Sequence, residues 1–129
     1  MRITGHIAHD LSLEFQFANG HSLVVIGEKE KDNGGIERFK CANLLREDSV
    51  VGRYAPPPAK SPTLRLMEGY TKADFVAYWM AATKYFKSNT GSLLSGAMAK
   101  GDVYVMGAEL EKLLPIIQDD RRAKVGPLS

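Results

Sequence analysis

The stretch Leu11-Ser12-Leu13-Glu14-Phe15-Gln16-Phe17-Ala18-Asn19-Gly20-His21-Ser22-Leu23-Val24-Val25-Ile26 decides the fold class. From Leu11 to Phe17 apolar and polar residues alternate without a break, so Leu11, Leu13, Phe15 and Phe17 share one face of a strand. Asn19-Gly20 accepts the two positive φ angles of a type I′ turn, and Ser22 to Ile26 then returns antiparallel. With Asn19 and Gly20 as the only loop residues, Phe15 lies opposite Val24 and Leu13 opposite Ile26. Leu23 and Val25 then fall on the reverse face, beside Glu14 and Gln16.

On either side of the hairpin the same character continues. Arg2 to Ala8 reads as a preceding strand, with His9-Asp10 as a turn or bulge. Gly27 to Lys31 extends the returning strand to a tip at Lys31-Asp32-Asn33-Gly34-Gly35, and Ile36 to Ala42 is the next strand. Residues 48–69 interrupt the pattern: Pro56-Pro57-Pro58 and Pro62 favour an extended polyproline segment. Because the regions on both sides need each other's apolar faces, this segment reads as a surface crossing within one domain, 1–129.

Beyond it the pattern turns helical. Thr71 is an N-cap with Asp74 three residues on, a variant of the capping box. Phe75, Trp79, Ala82 and Phe86 recur at helical spacing and form the face that packs on the sheet. Asn89-Thr90-Gly91 ends that helix, and Ser92 to Lys100 suggests a short one. Val103 to Met106 reads as a brief strand or the start of the last helix. That helix carries Leu110, Leu113, Leu114 and Ile117, and Pro115 must kink or end it. The fold class is therefore α+β: an antiparallel meander of three to four strands, then two to three helices packed on one sheet face.

A chain of 129 residues, 44% hydrophobic and 25% charged, has the composition of one globular domain with its own core. Its single cysteine, Cys41, rules out an internal disulfide. Met1 to His6 opens no apolar run, and no stretch approaches a membrane span, so a cytoplasmic location is the expectation. The net charge of +2 hides an uneven distribution. The segment from Arg53 to Lys100 carries seven basic residues against Glu68 and Asp74, interleaved with Tyr54, Tyr70, Phe75, Tyr78, Trp79, Tyr85 and Phe86.

Local catalytic and ligand-binding patterns are missing. In an extended segment the odd spacing of His6 and His9 sends the rings to opposite faces unless a bulge intervenes, which removes the geometry for a shared metal. Cys41 sits mid-strand, where a small buried apolar side chain is expected, and no Gly-x-Ser-x-Gly elbow is present. Gly91/Gly96 and Gly96/Gly101 have P-loop spacing but lack the lysine and hydroxyl that hold phosphate and magnesium. No cofactor, metal ligand or catalytic residue is assigned, although a site assembled from distant residues leaves no local signature.

The remaining candidates are surfaces. A non-catalytic module acting by protein–protein contact is the leading expectation, with Leu23 and Val25 on the sheet and Tyr78 and Tyr85 on the helix flank as contacts. An open meander also leaves an edge strand on which another chain, including a second copy, can pair. The alternative is nucleic-acid binding along the basic, aromatic-rich stretch, with Arg53, Lys60, Lys84 and Lys87 on phosphates.

Overall fold

The computed structural model describes residues 1–9, 12–29, 36–55, 64–88, 113–118 and 124–125. Six strands follow one another in an antiparallel meander: β1 (Ile3–Ala8), β2 (Ser12–Phe17), β3 (His21–Lys29), β4 (Ile36–Arg46), β5 (Ser49–Tyr54) and β6 (Leu64–Leu66). Helix α1 (Lys72–Ser88) comes next, then a helical stretch α2 over 113–118, and β7 (Lys124–Val125) adds parallel to β6. The α+β class holds, but the meander is longer than the three to four strands expected from sequence. Residues 49–54 and 64–66, assigned above to a surface crossing, are strands in register with β4 and with each other. The proline cluster and Lys60 fall between them, outside the described residues.

The two hairpin turns differ from the sequence expectation in an instructive way. Phe15 pairs with Leu23 and Leu13 with Val25, one residue away from the register expected above. The β2–β3 loop has three residues, Ala18-Asn19-Gly20. Its Gly20 N–H donates to the Phe17 carbonyl at 3.2 Å, and Gly20 has φ of 88°. That is a type I turn closed by a left-handed glycine, the usual three-residue hairpin loop. A one-residue slip exchanges the two faces of a strand, so Leu23 and Val25 face the core while Val24 and Ile26 stand on the reverse face. The tight two-residue turn occurs instead at Glu47-Asp48, between the paired Arg46 and Ser49, with φ of 48° and 67°.

One face of the sheet carries the core: Leu13, Phe15 and Phe17 from β2, Leu23 and Val25 from β3, Ala42 and Leu44 from β4, Tyr54 from β5, and Leu64 and Leu66 from β6. α1 covers this face with the stripe read from sequence, Phe75, Trp79, Ala82 and Phe86, all buried. Its start is fixed by the expected box. The Asp74 N–H donates to Thr71 Oγ1 at 3.2 Å, and Asp74 Oδ2 accepts from the Thr71 N–H at 2.8 Å. The Phe75 ring seats directly over Gly52, where a Cβ would lie 3.0 Å from it. α2 contributes buried Leu113 and Ile117 to the same core, and the helix continues through Pro115. The expected elements between 89 and 112 lie outside the described residues.

Candidate functional site

α1 is tied to the first strands at two points one heptad apart, and both ties are tyrosines paired with a histidine. Near its middle, the Tyr78 ring meets Phe17 edge-on at 4.8 Å and tilts against the His21 ring at 5.1 Å. Seven residues on, Tyr85 contacts Phe15 edge-on at 6.0 Å, and its hydroxyl lies 2.7 Å from His6 Nδ1. The two residues sit on one flank of the helix, as their spacing requires. That flank is turned onto the sheet rather than to solvent: Tyr78 is buried and Tyr85 half-buried.

The first tie extends into a network at the hairpin end. Asn19 Oδ1 accepts from the His21 backbone N–H at 3.1 Å and lies 3.2 Å from His21 Nδ1, while Asn19 Nδ2 donates to the Tyr78 hydroxyl at 2.9 Å. The other ring nitrogen, His21 Nε2, is 2.8 Å from the Tyr70 hydroxyl. Because Asn19 Oδ1 can only accept, Nδ1 carries the proton, and the neutral ring then accepts the Tyr70 O–H at Nε2. Burial holds the His21 imidazole below its ordinary pKa, and the Arg46 guanidinium acts the same way against the opposing pull of Asn19 and Asp74. Burial likewise pushes the Tyr78 phenol up, so it stays protonated. The cluster is a neutral hydrogen-bonded lock joining β3, the β6–α1 connection and α1.

Other residues singled out from sequence are dispersed. Leu23 and Val25 are 0% exposed beneath α1, which corrects their placement on the reverse face. Arg53 is exposed on that reverse face, between inward-facing Gly52 and Tyr54, where it pairs across the ladder with Arg65 and donates to Cys41 Sγ at 3.8 Å. Lys84 and Lys87 are exposed on α1, on the other side of the sheet from Arg53. These described cations therefore do not line one continuous surface. His6 and His9 do turn to opposite faces: His6 toward Tyr85, His9 toward Glu14 at 3.8 Å. Cys41 is 2% exposed and stands apart from the core cluster, on the reverse face.

β1 is one end of the strand order, the other being the two-residue β7, and it pairs only with β2 among the described residues. A bulge at Thr4 lets Ile3, His6 and Ala8 all face the core side, while Gly5 and Ile7 face the reverse side. His9 N–H donates to the Ser12 carbonyl at 2.8 Å, in the same register that pairs Ile7 with Glu14 and Gly5 with Gln16. Hydrogen-bonded and non-bonded pairs alternate in an antiparallel ladder. His6 and Ala8 therefore direct their backbone N–H and C=O groups away from β2, along the open edge. From Ile3 to Ala8 the strand contains no Lys, Arg, Asp, Glu or Pro, the residues that ordinarily blunt an edge. Ile7 is 40% exposed beside it. No helix among the described residues is long and apolar enough to cross a membrane, and those residues hold no group of His, Cys, Asp and Glu suited to a metal ion. Comparison of the chain with protein-family models, with curated proteins and with solved structures returns no match.

Proposed function

We propose that the protein is a small binding module working by protein–protein contact, taking an extended polypeptide segment onto β1 as an added strand. The observation that carries this reading is the chemistry of that edge. Backbone donors and acceptors of His6 and Ala8 point outward from a strand without charge or proline, next to exposed Ile7. Main-chain hydrogen bonds of this kind supply affinity, and the alternating side chains supply selectivity. The expected contacts at Leu23 and Val25 are replaced in this reading by Ile7 and the β1 backbone. Tyr78 and Tyr85 become internal supports of the strands behind it.

The test is capture of partners by the full chain from its native cell, with and without nuclease, set beside the same capture with Ile7→Lys. A lysine there places a charge at the docking line while leaving the β1–β2 ladder intact. Partners that survive nuclease and vanish with Ile7→Lys support the reading. An identical set with both proteins overturns it. Loss of every partner on nuclease treatment would favour the nucleic-acid alternative through Arg53, Lys60, Lys84 and Lys87.

A further inference from the structure

We infer that the strand docked on β1 is the β1 of a second copy, paired antiparallel about a two-fold axis through Ile7. This rests on the edge reading above and names its occupant.

The backbone selects one register. Only residues whose N–H and C=O point outward can exchange hydrogen bonds with an incoming strand, and among the described residues after the Thr4 bulge these are His6 and Ala8. Pairing His6 with Ala8 of the copy, and Ala8 with its His6, satisfies both residues at once. Moving the strands by two residues either pairs His6 with itself and leaves Ala8 facing the bulged Thr4, or pairs Ala8 with itself and carries His6 beyond His9. The chosen register places Ile7 opposite Ile7 of the copy in a non-hydrogen-bonded pair. There Cα atoms approach to about 4.5 Å and side chains meet most closely.

Side-chain sizes agree with that register on both faces. On the core side His6, held by Tyr85, meets the small Ala8. On the reverse side Gly5 meets His9 and leaves open the space that ring needs, since a side chain at Gly5 would itself crowd Gln16 Oε1 at 3.3 Å. Between them the exposed Ile7 pair covers itself. Charge agrees as well, because Ile3 to Ala8 brings no Lys, Arg, Asp or Glu to the axis, and its one titratable side chain, His6, is held by Tyr85. Such isologous pairing closes on itself and consumes the open edge of both copies.

The experiment is Ile7→Cys under mild oxidation, read on a non-reducing gel. Cys41 is 2% exposed and stays out of the reaction. A non-hydrogen-bonded pair has Cα separations within the roughly 4.4–6.8 Å a disulfide accepts, so Ile7→Cys is expected to convert to a covalent dimer at low protein concentration. Met80→Cys, at a site on α1 more exposed than Ile7 (48% against 40%), remains a monomer. Adding Ala8→Pro, which removes an outward N–H and spares the β2 ladder, abolishes the cross-link. Light scattering on the native chain gives twice 14.2 kDa, whereas Ile7→Lys gives the monomer. Cross-linking of Ile7→Cys no faster than Met80→Cys, or unchanged by Ala8→Pro, overturns self-pairing. If partner capture still depends on Ile7 in that event, the edge reading stands and only its occupant is wrong. If it does not, both fall.

Discussion

Gly52 sits where the helix comes closest to the sheet, and adding one methyl there tests how α1 is seated. A Cβ at this position would lie 3.0 Å and 3.4 Å from two carbons of the Phe75 ring and 3.2 Å from Leu66 Cδ2. Ordinary carbon contacts begin near 3.5 Å, so the ring must retreat by about half an ångström. It has little room to move: Phe75 is fully buried and stacked on Trp79 at 6.1 Å, and Leu66, the methyl's other near neighbour, is buried as well. Forcing a methyl into a filled core costs about 1–3 kcal/mol. The lower backbone entropy of alanine returns roughly 0.5–1 kcal/mol of that. Gly52→Ala is thus expected to destabilise by about 1–2 kcal/mol, a fall in Tm of roughly 4–8 °C for a chain of this size. Urea unfolding should show a lower midpoint at unchanged slope. Phe75→Leu costs stability alone, but in combination it relieves the clash, so the double variant is more stable than the sum of the singles by roughly 1 kcal/mol. A neutral or stabilising Gly52→Ala, or strict additivity with Phe75→Leu, would refute this account of the packing.

The Glu47-Asp48 turn holds two non-glycine residues at positive φ, so Glu47→Asn with Asp48→Gly is expected to raise stability by about 1 kcal/mol, measured by thermal unfolding. His21 has its folded-state pKa lowered by burial and Arg46. Its contribution is therefore fully present above the ordinary value of 6.5 and is lost as the pH falls below it toward the folded pKa, the direction linkage requires. Urea midpoints should drop on acidification below pH 6.5, with the drop reduced in His21→Gln, and an equal drop in both would dismiss the lock. Tyr85→Phe removes the hydroxyl from His6 Nδ1, which costs about 1 kcal/mol and speeds amide exchange across β1 while exchange at β4 and β5 tracks only the global change.

The sequence carried the faces of β2 and α1 clearly because each has an unbroken period, Leu13-Phe15-Phe17 at two and Phe75-Trp79-Ala82-Phe86 at helical spacing. β3 was not legible on its own. Leu23-Val24-Val25-Ile26 is apolar at every position, so either register buries two aliphatics, and only the loop decides which two. Asn19-Gly20 suits both a two-residue and a three-residue loop, because Gly20 takes positive φ in each. β5 was hidden by its own irregularity: the ladder slips beside Val51, Gly52 has no side chain to show a face, and alternation breaks. β6 is three residues long and follows the prolines. The network of Tyr70, His21, Asn19 and Tyr78 joins residues 49 and 59 positions apart, and no local spacing encodes it. What sequence did offer was the seven-residue separation of Tyr78 and Tyr85, rightly read as one flank, although that flank faces the sheet.

That flank bears on the open edge more than its burial suggests. Strand addition requires a template already extended, since ordering a loose strand at the moment of docking costs roughly 1–2 kcal/mol per residue. β1 is an edge strand, with only β2 beside it among the described residues, and edge strands fray first. Two features oppose this. Thr4 Oγ1 donates to the Gln16 carbonyl at 3.3 Å at the bulge, and Tyr85 holds the side chain of His6, whose own backbone faces outward. The helix thus grips β1 through a residue that packs inward and also presents hydrogen-bonding groups to a newcomer. A tie at Gly5 or Ile7 would fix residues whose backbone is already spent on β2, and Ala8 has only a methyl group, which cannot hydrogen-bond to the helix. Placing the histidine at position 6 stiffens the docking groups themselves. Tyr85→Phe should therefore weaken pairing at β1 by more than its modest effect on folding, and if Ile7→Cys cross-links equally well in that background, the tie serves stability alone.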